Sequence, residues 1–180
     1  MSDQPRPPLI WIDMEMTGLS VEQHHILEVA AIVTDSELRE LDEGLDLIVH
    51  QPEKTLSLMD EWCVNQHGQS GLTEAVRASR IEVPEAEGLL LQYLQSHTSE
   101  GQSPLAGNSV GQDRRFLERW MPSVAQHLHY RTIDVSTIKE LSLRWFPELG
   151  GFPKGGSHRA DDDIRESIAE LRYFREHVFR

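Results

Sequence analysis

At 180 residues, 38% apolar and 26% charged, the chain has the size and composition of one globular domain that buries a core without a metal or disulfide staple. Its one cysteine, Cys63, excludes an intramolecular disulfide, and no apolar run approaches the roughly 20 residues that span a bilayer, so no membrane is expected as a partner. A net charge of −13 argues against sequence-independent binding along a nucleic-acid backbone, which depends on Lys and Arg displacing counterions, so no long nucleic acid is expected as a ligand. Met1 to Pro8 is polar and proline-rich and reads as a flexible N-terminal segment, residues 1–8, leaving 9–180 as a single domain. Nothing there has the pattern of a secretion signal, and the expected location is cytoplasmic.

Leu9 to Met16 is a nearly continuous apolar run interrupted only by Asp13 and Glu15, the pattern of a buried strand. Ile26 to Thr34 and Leu45 to His50 read as two more strands around a charged turn, Asp35 to Gly44, forming an antiparallel meander. The period then changes. Met59 to His67 and Leu72 to Ser79 predict short helices, and Val83 to His97 carries Leu89, Leu90, Tyr93 and Leu94 at helical spacing. After the break at Gly101 to Pro104 come a short strand through Ala106, a glycine-flanked loop with Asn108 and Ser109, and a helix from about Gln112 to His127. Tyr130 to Val135 predicts a fifth strand, followed by a helix from Ser136 to Trp145 with Ser136 as its cap and Pro147 as its stop. A glycine-rich loop, Gly150 to Gly156, leads to a last helix, Ala160 to Val178. The fold class is α/β, a mixed five-stranded sheet flanked by helices.

In a strand, residues two apart share a face, so Asp13 and Glu15 present two carboxylates side by side. A wet edge strand would explain them, but the apolar run around them favours a metal cradle, because buried unpaired charge is costly. Asp113 falls on the apolar stripe of its helix, with Phe116, Leu117, Trp120 and Met121 on the same face. Its place in the first helical turn is also ordinary dipole chemistry. Ser157-His158-Arg159-Ala160-Asp161-Asp162-Asp163 sets a histidine and three adjacent, mutually repelling aspartates at a loop-to-helix junction. A cation is the simplest partner for them, although spacing leaves open which aspartate binds it. These are hard oxygen ligands suited to two divalent cations, Mg²⁺ or Mn²⁺, and the matching chemistry is phosphoryl transfer. Two such ions roughly 4 Å apart stabilise the attacking and leaving oxygens while His158 takes the proton of a water. Gathered cations reverse the local field, so the acidic chain still admits a small nucleotide substrate.

Asp13-Met14-Glu15, then Asn108 to Asp113, then His158 followed five residues on by Asp163, resemble the three motifs of the DEDDh family of 3′-to-5′ exonucleases. The stretches IWIDMEMTGL, MDEW, AGNSVGQDRRFL, YRTIDVSTIKEL and DDIRESIAELRYFREH are similar to the oligoribonuclease branch, from Leu9 onward. The resemblance implies a ribonuclease-H-like fold, a homodimer, and hydrolysis of very short oligoribonucleotides, chiefly dinucleotides, to nucleoside 5′-monophosphates. It assigns the metals to Asp13, Glu15, Asp113 and Asp163, and catalysis to His158. Leu19 would wedge between the two bases, Trp62 would offer an aromatic face with His67 beside it, and Tyr130 would reach the active site of the second subunit. Ser109, Arg131, Ser136 and Thr137 would cap the substrate's 5′ phosphate. A proofreading-type DNA exonuclease with the same carboxylates, and a non-catalytic acidic module that binds metal or protein, are the rival readings.

Overall fold

The computed structural model describes residues 6–153 and 159–179. Three strands come first: β1 (Leu9–Met16), β2 (Ile26–Thr34) and β3 (Leu45–Ile48). Four helices follow, α1 (Glu53–Leu56), α2 (Glu61–Gln69), α3 (Leu72–Ala78) and α4 (Val83–His97). The second half runs β4 (Pro104–Gly107), α5 (Gly111–Trp120), α6 (Pro122–His127), β5 (His129–Asp134), α7 (Val135–Trp145), a 3-10 turn at Pro147–Leu149, and α8 (Ala160–His177).

The sheet order is β3-β2-β1-β4-β5, with β1–β2 and β2–β3 antiparallel and β1–β4 and β4–β5 parallel, the mixed five-stranded sheet expected. Covering both faces makes the central strands largely apolar, with Asp13, Glu15 and Glu28 as the charged exceptions, and all nine residues of β2 are buried. The alternation of β1 divides the core. Ile10, Ile12, Met14 and Met16 face Leu90, Leu94, Phe116 and Leu117 of α4 and α5, whereas Trp11 faces Ile164, Ile168 and Phe174 of α8. Asp13 and Glu15 continue the Trp11 side, so the strand's period alone aims both carboxylates at α8.

Four local expectations need correction. The strand Leu45–His50 ends at Ile48, because the His50 amide donates to Ile81 rather than to β2. The helix expected from Gln112 to His127 is two helices: Pro122 has no amide hydrogen to donate, and Met121 leaves helical geometry at φ −137°, ψ 60°. Asp134, not Ser136, caps α7, accepting a hydrogen bond from the Ser136 amide at 2.9 Å. An unanticipated turn of helix, α1, buries Leu56 against Leu27, Leu72 and Val76. Of the loop expected at Gly150–Gly156 and the N-terminal segment 1–8, residues 154–156 and 1–5 lie outside the described residues.

Candidate active site

The C-terminal end of β1 meets the first turn of α8, and there one oxygen from each of Asp13, Glu15 and Asp163 lies within 4.8 Å of the others. Asp163 reaches them from α8, where its amide donates to the carbonyl of Arg159 at 2.9 Å. Asp113 is outside this three-oxygen group but close enough to raise the Asp13 carboxyl. It is 6% exposed, on the core side of α5 as its place on the apolar stripe required. Of the three adjacent aspartates, Asp161 is engaged by Arg165 at 3.1 Å and Asp162 is exposed. His158 lies outside the described residues.

Crowding these acids in a dry corner changes their chemistry. Burial, then repulsion from Asp113, Asp163 and Glu15, raises Asp13 well above the usual carboxylate range. Glu15 is pushed up to about 8, by burial first and then by Asp163, Glu28 and Asp113, with Arg159 opposing. Burial carries Asp113 to about 7 even though its own amide and that of Met14 donate to it. Hard oxygens this close, with burial raising Asp13, Glu15 and Asp113 and neighbouring carboxylates adding to it, fit divalent cations, whose charge offsets that repulsion.

Beside the carboxylates opens a cleft of about 650 Å³ lined by Glu15, Leu19, His24, Trp62, Cys63 and His67 among others. Two distant segments bring Leu19 and Trp62 there. Gly18 turns the chain out of β1 at φ +150°, where a Cβ would stand 2.4 Å from the His24 ring. The Gln112 side chain then holds the Leu19 carbonyl at 2.6 Å, leaving the Leu19 side chain 72% exposed. Asp60 caps α2 by accepting from the Cys63 amide at 2.8 Å, and Trp62, in the first turn of that helix, stands 63% exposed. Exposed apolar residues of this size facing a cleft are unusual for core packing and suit a ligand with flat apolar faces. His67, by contrast, is buried: one ring nitrogen meets the Met16 carbonyl at 3.0 Å and the other lies 3.8 Å from Glu15. Burial lowers its pKa.

Ser109 and Ser136 meet at 3.2 Å between their hydroxyl oxygens, where the β4–α5 turn faces the start of α7. Ser109 has φ 53°, a left-handed backbone steadied by the Asp134 carboxylate, which accepts its amide at 3.0 Å. Thr137 follows on α7, exposed. Arg131 and Tyr130 stand apart on edge strand β5: the guanidinium lies 5.2 Å from the centre of the Tyr130 ring, and Arg131 lines a second groove with Arg6 and His129. Tyr130 is 72% exposed and is not part of the cleft lining.

One group at the site went unforeseen. Glu28, fully buried on β2, is the register partner of Glu15 and accepts two bonds from Arg159, at 2.8 and 2.5 Å, with Asp46 3.6 Å from the same guanidinium. A lone carboxylate in the apolar run ILEVAAIVT was the signal that could have found it.

Among solved structures, exonuclease I from Methylocaldum szegediense superimposes with a TM-score of 0.71 at 18% identity over 97% of this chain. E. coli exonuclease I in complex with a 5cy-dT13 oligonucleotide gives 0.73 at 16% identity over 97%. The chain spans about two fifths of those longer proteins, 41% and 42%, and the likeness establishes the ribonuclease-H-like fold. Curated relatives are much nearer in sequence. The oligoribonuclease of Vibrio parahaemolyticus is 56% identical over 173 residues, and that of Marinobacter nauticus 55% over 173, each match covering 96% of both chains. The exonuclease family model matches residues 10–171, spanning the three carboxylate-bearing elements β1, α5 and α8. The chain therefore belongs to the exonuclease family and, within it, to the oligoribonucleases.

Proposed function

We propose that this exonuclease removes nucleotides in the 3′-to-5′ direction from very short oligoribonucleotides, chiefly dinucleotides, releasing nucleoside 5′-monophosphates in the cytoplasm, with residues 9–180 acting as one domain. The observation that carries the reading is the adjacency of the Asp13–Glu15–Asp163 oxygens to a 650 Å³ cleft flanked by Leu19 and Trp62. Such a volume suits a small ligand rather than a polymer.

Asp13, Glu15, Asp113 and Asp163 hold two divalent cations, Mg²⁺ or Mn²⁺. Bound there, the cations supply the positive charge that a phosphodiester needs to accept attack by water. His158, five residues before Asp163, accepts the proton of that water. Leu19 separates the two bases, Trp62 stacks on one, and His67, whose pKa burial lowers, backs the pocket beside Glu15. Ser109, Ser136 and Thr137 cap the 5′ phosphate and so limit the length of chain that fits, and Arg131, which stands apart from them beside Tyr130 on β5, joins the cap across the homodimer. Tyr130, exposed on the β5 edge, completes the site of the second subunit in a homodimer.

His158→Ala tests the assignment of roles. Hydrolysis should fall by about 10²–10⁴-fold, the range of a lost general base, while Mn²⁺ binding to the carboxylates persists. Undiminished hydrolysis would remove His158 from the reaction, and absence of cation-dependent turnover in the unmodified protein would overturn the exonuclease chemistry proposed here.

A further inference from the structure

Buried Glu28 and half-buried Arg159 form an ion pair that the proposed reaction does not use. Glu28 shares its sheet face with Ala30 and Ile32, which pack on α8, and it is fully buried. It is also directly opposite Glu15 in the β1–β2 register. Opposed residues in an antiparallel pair have Cβ atoms about 4.5–5.5 Å apart, so a guanidinium that reaches Glu28 stands within a short swing of Glu15. Arg159 is the residue whose carbonyl accepts the Asp163 amide, so its side chain sits at the base of the very turn that delivers Asp163. An arginine in that place is a built-in rival for the carboxylates, because it offers them the same electrostatic relief as a metal. The structure parks it elsewhere: its Nε and one terminal nitrogen both bond Glu28, and Asp46 flanks it at 3.6 Å.

We propose that Glu28 is a positioning residue that holds the Arg159 guanidinium away from Glu15, Asp13 and Asp163, keeping the carboxylate cluster open to divalent cations. The inference rests on the metal reading of that cluster. Charge bookkeeping gives it a signature that simple structural support lacks. Removing Glu28 alone leaves a positive charge to fall on the cluster. Removing Arg159 alone leaves an extra negative charge beside it. Removing both leaves the cluster's surroundings as neutral as the intact pair does.

The experiment is Mn²⁺ titration of the full chain by calorimetry, and independently by the electron paramagnetic resonance signal of free Mn²⁺, for the unmodified protein, Glu28→Gln, Arg159→Gln and the double variant. Glu28→Gln should weaken Mn²⁺ binding at least tenfold, Arg159→Gln should bind as tightly as the unmodified protein or tighter, and the double variant should return to within about threefold of it. A double variant as weak as Glu28→Gln, or an Arg159→Gln protein that binds worse than the unmodified one, overturns the proposal. Arg159→Gln keeps an amide donor for Glu28, so it decides the matter even if Glu28→Gln does not fold. Failure of the unmodified protein to bind Mn²⁺ would strike at the metal reading instead, which keeps the two ideas separable.

Discussion

Stripped of cations, the protein should lose stability as the pH rises through neutrality, against the usual trend for a chain whose carboxylates are paired. Glu15 rises from an ordinary 4.5 to about 8 and Asp113 from 3.8 to about 7 in the folded state. Between those limits the unfolded chain has released protons that the folded chain keeps. The folded form is therefore favoured at low pH, and that contribution is lost as pH climbs through the folded values. For Glu15 the whole change corresponds to about 5 kcal/mol, at about 1.4 kcal/mol per tenfold change in acidity. Histidines 25, 67 and 127, whose pKa values burial lowers, act in the opposite sense below their ordinary 6.5, so the clean window is pH 6.5 to 8. Across it the two acids together should cost about 2 kcal/mol, or about 4–8 °C in Tm for a domain of this size. Thermal unfolding followed by circular dichroism in EDTA, at half-unit steps of pH, measures this directly. Saturating Mg²⁺ or Mn²⁺ should cancel the slope, since a cation at a hundred times its Kd adds about 2.7 kcal/mol to the folded state. A metal-free Tm that is flat or rising across the window, or a cation effect no larger at pH 8 than at 6.5, would refute the picture of a repelling, cation-ready cluster.

Three further outcomes follow from the same geometry. Asp113→Asn should raise the metal-free unfolding free energy at pH 8 by at least about 2 kcal/mol, and the Tm with it, while cutting cation-dependent hydrolysis by about two orders of magnitude; paired melting and rate measurements check both signs. Trp62→Ala should leave stability within about 0.5 kcal/mol, its side chain being largely exposed, yet raise KM for a dinucleotide by about 5- to 100-fold as a stacking face is lost. Phe116→Ala, which empties a fully buried position one turn after Asp113, should cost about 3–5 kcal/mol in urea unfolding.

What the sequence revealed depended on how locally each feature is determined. β1, β2 and α4 fall where hydrophobic period placed them, because long, consistent apolar patterns leave one solution. The same period put Asp113 on the core face and Asp13 with Glu15 on one side of a strand, as the structure has them. Boundaries failed where a single backbone group decides the matter: Pro122 divides α5 from α6, and the Asp134 carboxylate outcompetes Ser136 as the α7 cap. Both signals were in the sequence: the apolar spacing ran past Pro122, and Ser136 offered a cap of the same kind two residues after Asp134. The convergence of Leu19 and Trp62 on one cleft is different in kind. It is set by the Gly18 turn and by the packing of α2 on α3 with His67 tied to the Met16 carbonyl, and only family resemblance could place those residues together in advance. Glu28 shows the opposite lesson, since a solitary charge in an apolar strand marked a special environment without saying what it served.

Substrate length and metal dependence, measured together, test the proposed activity most directly. A 5′-phosphorylated diribonucleotide, a longer RNA and a matching DNA should be offered in parallel with Mg²⁺, Mn²⁺ and EDTA. Rapid release of nucleoside 5′-monophosphates from the dinucleotide, abolished by EDTA and far slower on the longer RNA, is the predicted result. Preferential digestion of long DNA would contradict the short-substrate site proposed for Leu19, Trp62 and the serine cap.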